Sequence, residues 1–292
     1  MEIIYINCTN EELLKDSNDE IITHKFSNLP FRLQRIVLKN NNKYSVNIIN
    51  KVKERIKNMK FNVADSSGKE RCLKDVHLKS FCGMIAEQLC YEILNFYNQN
   101  DNVDITLDDS NSSINQIDLR VLKKWKDNKS IEQSVERTIE VRSSFPFCSI
   151  EKAIAKNFDI LGYYTNNIKK IEIEKDFYLR FLFKLDYNKS DFIINKNGSI
   201  DYSATTVNIL SKHYFDEKFD LKKELYIYFI GGVTKHMMLD DSIAYDGSMN
   251  SINFNQNNSG KYRKVKARNA LDCISIIQLI LNVITNEAEE GK

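Results

Sequence analysis

Two segments constrain this chain more than any other feature. "INQIDLRVLKKW" (residues 114–125) and "SVERTIEVRSS" (134–144) both alternate with period two, and the turn cluster "KDNKS" separates them. That pattern predicts a β-hairpin. In the first segment Ile117, Leu119 and Val121 share one face, so Asp118 and Arg120 share the other. In the second, Ile139 and Val141 face the core and Thr138, Glu140 and Arg142 lie opposite. The midpoint between positions 118 and 140 is Lys129, inside the turn cluster, so folding the hairpin sets Asp118 across from Glu140. Cross-strand neighbours lie about 4.5–5.5 Å apart at Cβ. Two carboxylates that close repel unless a cation lies between them. Arg142 supplies one positive charge, and a divalent ion such as Mg²⁺ would supply more while keeping waters of its own. The bland alternative is a surface hairpin with an ordinary Glu140–Arg142 ion pair, worth about 0–1 kcal/mol.

The rest of the chain reads as α/β. "EIIYIN" predicts a short first strand. "YSVNIINKVKERIKNMK" places Val46, Ile49, Val52, Ile56 and Met59 at helical spacing with Lys and Arg between them. Its basic face is either solvated or turned toward DNA. The strongest helix is "DVHLKSFCGMIAEQLCYEILNFYNQN", with Phe81, Met84, Ile85, Leu89 and Phe96 on one face. "NDNVDITLDDSNSS" reads as turn, and "SIEKAIAKNFDILGYY" and "TVNILSKHYF" as helices. "DFYLRFLFKLDY" and "ELYIYFIGG", dense in aromatic and β-branched residues, read as strands. A long polar loop region follows Met238, and "ALDCISIIQLILNVI" closes as an apolar helix. There is no repeat and no linker rich in Pro, Gly or Ser. A single domain over residues 1–292 is expected, with 1–70 as a helical, basic extension and 71–292 as the core.

Balanced charge, 42 basic against 40 acidic residues, neither demands nor excludes a nucleic-acid partner. The six cysteines form no C-x-x-C pair and read as free thiols of a reducing compartment. The N-terminus lacks the pattern of a signal peptide, and no apolar run approaches the length of a membrane span. A cytoplasmic protein with no membrane association is expected.

A third acid joins the hairpin pair. Glu87 lies on the strong helix, beside Gly83, Ala86 and Cys90, whose small size would allow close approach to a sheet. Most glutamates are surface residues, but the hairpin makes Glu87 a candidate. The helix "GMIAEQLCYEIL", the strand "NQIDLRV" and the strand "IEVRSSF" together resemble the PD-(D/E)XK nuclease superfamily over roughly residues 80 to 145. The resemblance implies a restriction-endonuclease-like mixed central β-sheet flanked by helices. It also implies a prokaryotic, Mg²⁺-dependent endonuclease acting on double-stranded DNA, with Mn²⁺ able to substitute, and a homodimer. A type II restriction or phage-defence enzyme is the first expectation. A structure-specific repair or recombination nuclease and an inactive DNA-binding or assembly protein of the same fold are the alternatives.

On this resemblance Asp118, Glu140 and the Val141 carbonyl hold the metal, and Glu87 holds a second metal or its water. Arg142 contacts the phosphate and the nucleophile, and Ser143 and Ser144 bond the DNA backbone. Two departures stand out. Ile117 replaces the family's Pro, at a variable position. Arg142 replaces its Lys, and arginine can orient water and stabilise charge but is never deprotonated. Lys152, on the following helix, is a candidate substitute lysine. Lys261, Arg263, Lys264 and Lys266 in "SGKYRKVKARNA" read either as a strand following the phosphate backbone or as a solvated edge strand guarded by lysines. His236, Asp240 and Asp241 have ligand-like spacing but no third partner, and read as a surface loop.

Overall fold

The computed structural model describes residues 2–6, 13–15, 21–23, 30–57, 72–108, 117–126, 132–154, 158–164, 173–248 and 261–290. Its elements in chain order are β1 (Glu2–Ile6), β2 (Leu13–Lys15), β3 (Ile21–Thr23), β4 (Phe31–Leu38), α1 (Lys43–Lys57), α2 (Leu73–Tyr97), β5 (Val103–Leu107), β6 (Leu119–Lys126) and β7 (Glu132–Ser144). There follow α3 (Ile150–Lys152), β8 (Ile160–Tyr164), β9 (Phe177–Lys184), α4 (Tyr202–Ile209), β10 (Leu225–Thr234), α5 (Lys235–Leu239), β11 (Ala244–Ser248), β12 (Lys261–Val265) and α6 (Cys273–Glu290).

Seven strands form a mixed central sheet in the order β1-β4-β10-β9-β7-β6-β5. Only the β7–β9 pair is parallel; every other neighbouring pair is antiparallel. One face packs against α1, α2 and α6 through residues such as Ile48, Val52, Phe81, Ile85, Leu89, Ile139, Phe181 and Ile276. The other meets a three-stranded sheet, β11-β12-β8, through Tyr178, Leu182, Ile230, Val233, Met238 and Val265. This double covering accounts for the apolar residues on both faces of β9. Phe177, Leu179, Phe181 and Phe183 face the helices, while Tyr178 and Leu182 face the smaller sheet. A central strand buried on both sides has no solvent face to leave polar.

The α/β class with a large mixed sheet matches the expectation, and so do the hairpin, β9, β10 and the closing helix. Several elements differ. Residues 1–70 contain only one helix among the described residues, α1, and supply β1 and β4 to the central sheet. The stretch expected as turn contains β5, whose Val103 and Ile105 are buried against α2 while Asp104 and Thr106 are exposed. "SIEKAIAKNFDILGYY" gives only the short α3 before β8 begins. The region after Met238 is not all loop, for it holds β11 and β12. On α1 the buried stripe is Ser45, Ile48, Ile49, Val52 and Ile56, with Val46 exposed; Met59 lies outside the described residues. Phe96 at the end of α2 is 71% exposed and does not belong to its core face. Cys72, Cys82, Cys90, Cys148 and Cys273 are free thiols, and Cys8 lies outside the described residues.

Two glycines lock α6 to the sheet. β10 bulges between Phe229 and Gly231, and Gly232 exchanges both backbone hydrogen bonds with Leu271 at 3.0 Å. Gly231 has φ +124°, and a Cβ there would lie 2.0 Å from the Leu271 carbonyl oxygen. Asp272 then starts α6. Its Oδ1 accepts the Ser275 N–H at 2.8 Å, and its Oδ2 accepts Arg32 Nε from β4 at 2.6 Å. Gly231→Ala is expected to destabilise the protein by more than about 2 kcal/mol, through forbidden backbone and direct collision, as read by urea unfolding.

Asp191, fully buried, ties the connection after β9 to the end of α4. It accepts Lys212 Nζ at 2.7 Å and the Asn188 N–H at 2.8 Å, with His213 Nε2 at 3.1 Å. Lys212 first, and the Asn188 N–H next, hold its carboxyl far below the usual range. A depressed folded-state value gives stability that is present above the unfolded value, about 3.9, and is lost as pH falls. Asp191→Asn should lower the melting temperature at neutral pH and flatten its decline below about pH 4, as followed by circular dichroism.

Candidate active site

The hairpin folds in the expected register. Its ladder runs from Lys126↔Glu132 to Leu119↔Ile139, one residue short of Asp118 and Glu140. Leu119, Val121 and Ile139 are fully buried on the helix side. The turn itself, with Lys129, lies outside the described residues. The Val141 N–H donates to Asp118 Oδ2 at 2.6 Å, which pins the Asp118 carboxylate across β7. Glu140 is only 3% exposed, and its Oε1 lies 2.9 Å from Arg142 Nη2. So the alternation that makes β7 a strand also forces an ion pair into the interior.

Glu87 reaches the same place from α2, which packs on β7. Ala86 and Cys90 beside it are buried, as the expected close approach requires. Gly83 is not part of that approach, since a Cβ there would meet nothing within 4 Å. Glu87 Oε2 accepts Arg55 Nη2 from α1 at 2.7 Å. The basic face of α1 is therefore largely engaged within the protein; Lys51 pairs with Glu92 at 2.8 Å and Lys53 with Asp220.

The electrostatics identify one cluster. Burial first, then the charges of Glu140 and Glu87, raise the Asp118 carboxyl well above its ordinary range, against the Val141 N–H and Arg142. Burial, with Asp118 and Glu87 nearby, also pushes the Cys90 thiol far up. Three carboxylates from α2, the start of β6 and β7 thus act on one another. Arg55 serves Glu87 and Arg142 serves Glu140. Asp118 is the acid whose charge is least offset.

Among the described residues no group of three or more His, Cys, Asp or Glu side chains converges closely enough to hold a metal ion. What comes together is narrower: Asp118, held by the Val141 N–H, within electrostatic reach of both Glu140 and Glu87. Two hard carboxylates and a main-chain carbonyl, with water completing the shell, are a donor set that fits Mg²⁺.

Other expected site residues are placed differently. Ser143 and Ser144 alternate to opposite faces of β7, so they cannot address one backbone together. Ser144 Oγ accepts Arg180 Nη2 at 2.7 Å. Lys152 is exposed on α3, and its charge acts on the Cys148 thiol. The basic stretch is not an exposed or edge strand. β12 is the middle strand of its sheet, and two of its cations are drawn inward. Lys264 is 2% exposed, with Nζ 3.3 Å from Asp159 and over the Tyr245 ring. Arg263 donates to Asp241 at 2.5 Å and to the Met238 carbonyl at 2.8 Å. Of the four basic candidates Lys266 is exposed, and the Lys261 side chain lies outside the described residues. His236 lies on α5, not in a loop, and Asp240 caps that helix and accepts the Ser242 N–H and hydroxyl at 2.8 and 2.7 Å in the turn that follows.

The chain is 27% identical over 199 residues, 64% of its own length and 68% of the other, to a protein of Methanocaldococcus jannaschii described as "Uncharacterized protein MJECS01". No family model and no solved structure matches. No helix among the described residues is long and apolar enough to cross a membrane.

Sequence reasoning missed Arg180 and Asp159. Arg180 had a legible signal, a cation in the middle of a central strand whose other buried residues are apolar; Asp159 had none.

Crowding of acids around Asp118 predicts a measurable strain. In EDTA, Asp118→Asn should raise the melting temperature at neutral pH, since it removes a buried negative charge that Glu140 and Glu87 repel. The amide oxygen can still accept the Val141 N–H. Added Mg²⁺ should raise the melting temperature of the parent and leave the variant unmoved.

Proposed function

We propose that the protein is a metal-dependent DNA endonuclease of restriction-endonuclease-like fold, acting in restriction or phage defence. The observation that supports this best is the hairpin itself. Asp118 and Glu140 meet across β6 and β7 with Arg142 at 2.9 Å from Glu140, and Glu87 adds its charge from the helix behind. The order helix-Glu, strand-Asp, strand-Glu-x-Arg is that of the nuclease pattern.

Asp118, Glu140 and the Val141 carbonyl would hold Mg²⁺, or Mn²⁺ in its place. When bound, the metal supplies an acidified water and neutralises charge on the scissile phosphate. The chain's own residues supply the rest. The Val141 N–H orients Asp118, and Arg55 holds Glu87 in place behind it. Arg142, about one fifth exposed, turns from Glu140 toward the phosphate and positions the attacking water. A guanidinium does not surrender its proton, so Arg142 stabilises charge and does not act as base. A homodimer acting on duplex DNA follows from the same resemblance.

The Glu140–Arg142 ion pair favours a second reading, a DNA-binding protein whose catalytic site is spent. One experiment separates the two. Plasmid DNA is incubated with the protein in Mg²⁺, Mn²⁺ or EDTA, beside Glu140→Ala. Discrete metal-dependent bands, reduced at least about a hundredfold by Glu140→Ala, are expected. Cutting confined to forks or junctions makes it a repair nuclease, and gel-shift binding without cutting makes it a binder. Arg142→Lys is expected to keep or raise the rate, and a complete loss would count against Arg142 as the motif cation.

A further inference from the structure

The parallel ladder between β7 and β9 sets Arg142 beside Arg180. Strand neighbours stand roughly 4.8 Å apart, so two guanidinium stems rise side by side into the space between the sheets. Arg142 has Glu140. Arg180 is 3% exposed and donates through Nη2 to Ser144 Oγ at 2.7 Å. Its Nε and Nη1 are buried and donate to nothing among the described residues. Burial first, then the charge of Arg142, pushes its pKa down to about 10, which leaves it cationic at neutral pH.

The carboxylate acting on Arg180 is Asp159, and Asp159 is already held elsewhere. Its Oδ2 accepts the Tyr245 hydroxyl at 2.5 Å and lies 3.3 Å from Lys264 Nζ. Between the sheets, then, Arg142, Arg180 and Lys264 face Glu140 and Asp159. A buried guanidinium with N–H groups lacking acceptors is a costly arrangement. It persists where a ligand completes it, and one singly charged anion with several acceptor oxygens would complete this one. A phosphodiester has that charge and those oxygens, and a planar guanidinium fork fits them in pairs.

We propose that Arg180, with Arg142 and Ser144, forms a phosphate subsite between the two sheets that takes a phosphodiester of the DNA beside the acid cluster. Arg142 opens it to solvent. The identity of the anion rests on the nuclease reading; the subsite itself does not. Asp118 with its poorly offset negative charge and Arg180 with its poorly offset positive charge flank the Glu140–Arg142 pair. This polarity matches a metal ion next to a phosphate.

The test uses the full chain, Arg180→Met and Arg180→Lys. First, melting temperatures are measured without metal over a series of inorganic phosphate concentrations, at ionic strength held constant with chloride. The parent should rise with phosphate, Arg180→Met should stay flat, and Arg180→Lys should rise less. A parent that does not respond, or a parent-like response in Arg180→Met, overturns the subsite. Should Arg180→Met not fold, a full parent-like response in Arg180→Lys overturns it instead. Second, binding of a random-sequence duplex is measured against salt with Ca²⁺ in place of Mg²⁺. Arg180→Met should lower the log–log slope by about 0.9, one phosphate contact. An unchanged slope overturns the assignment to DNA. If the parent cuts no nucleic acid with any metal yet loses its phosphate response in Arg180→Met, the nuclease reading falls and the anion subsite stands.

Discussion

The parallel pairing of β7 with β9 is the constraint on which the rest of the structure depends. It makes β7 an internal strand, with β6 on one side and β9 on the other. Helices cover one of its faces and the smaller sheet covers the other. Over the stretch paired with β9, Ile139–Ser144, every second residue of β7 must then enter the space between the sheets, whatever its chemistry. For Ile139 and Val141 the helix face is an ordinary hydrophobic environment. For Glu140 and Arg142 the opposite face offers little water, so each becomes a partner for the other. A buried pair of this kind gives little net stability, because desolvation offsets most of the Coulombic gain.

Much of this was legible from the residues. Period two fixed the faces of β6 and β7, and the turn position fixed their register. The ladder's end at Leu119↔Ile139 sums to the same midpoint as Asp118 and Glu140. Glu87 needed a tertiary guess, because nothing in a helix's own periodicity says which sheet it will meet. The guess leaned on three small neighbours, of which Ala86 and Cys90 are buried at the contact and Gly83 is not. β5 was hidden because its two buried residues are too few to raise alternation above a polar background. β8 was hidden because an apolar run after a capping serine reads equally as helix or strand. The basic stretch misled for another reason. Alternating cations look like a solvated edge, and only the position of β12 between β11 and β8, with Asp159 and Asp241 waiting, turns Lys264 and Arg263 inward.

α1 also has a role different from the one its charge suggests. A basic amphipathic helix invites a nucleic-acid interpretation, yet Arg55 spends its guanidinium on Glu87. Positive charge on α1 thereby supports the acid cluster from behind. On the other face of β7 Glu140 pairs with Arg142, and Arg180 keeps buried N–H groups without acceptors among the described residues.

The pairing of β4 with β10 has a consequence for how the chain matures. β4 is made early and β10 late, and Arg32 on β4 meets Asp272 later still. Neither β9 nor β7 can rest in a finished sheet until β10 has closed the gap to β4, and α6 cannot seal the helix side before Leu271 reaches Gly232. Contacts so distant along the chain form slowly. A nascent chain holding the hairpin but lacking β10 and α6 would leave its acids and arginines in water, where neither the raised pKa of Asp118 nor the burial of Arg180 could exist. Whatever chemistry those residues perform is therefore withheld until β10 and α6 have been made.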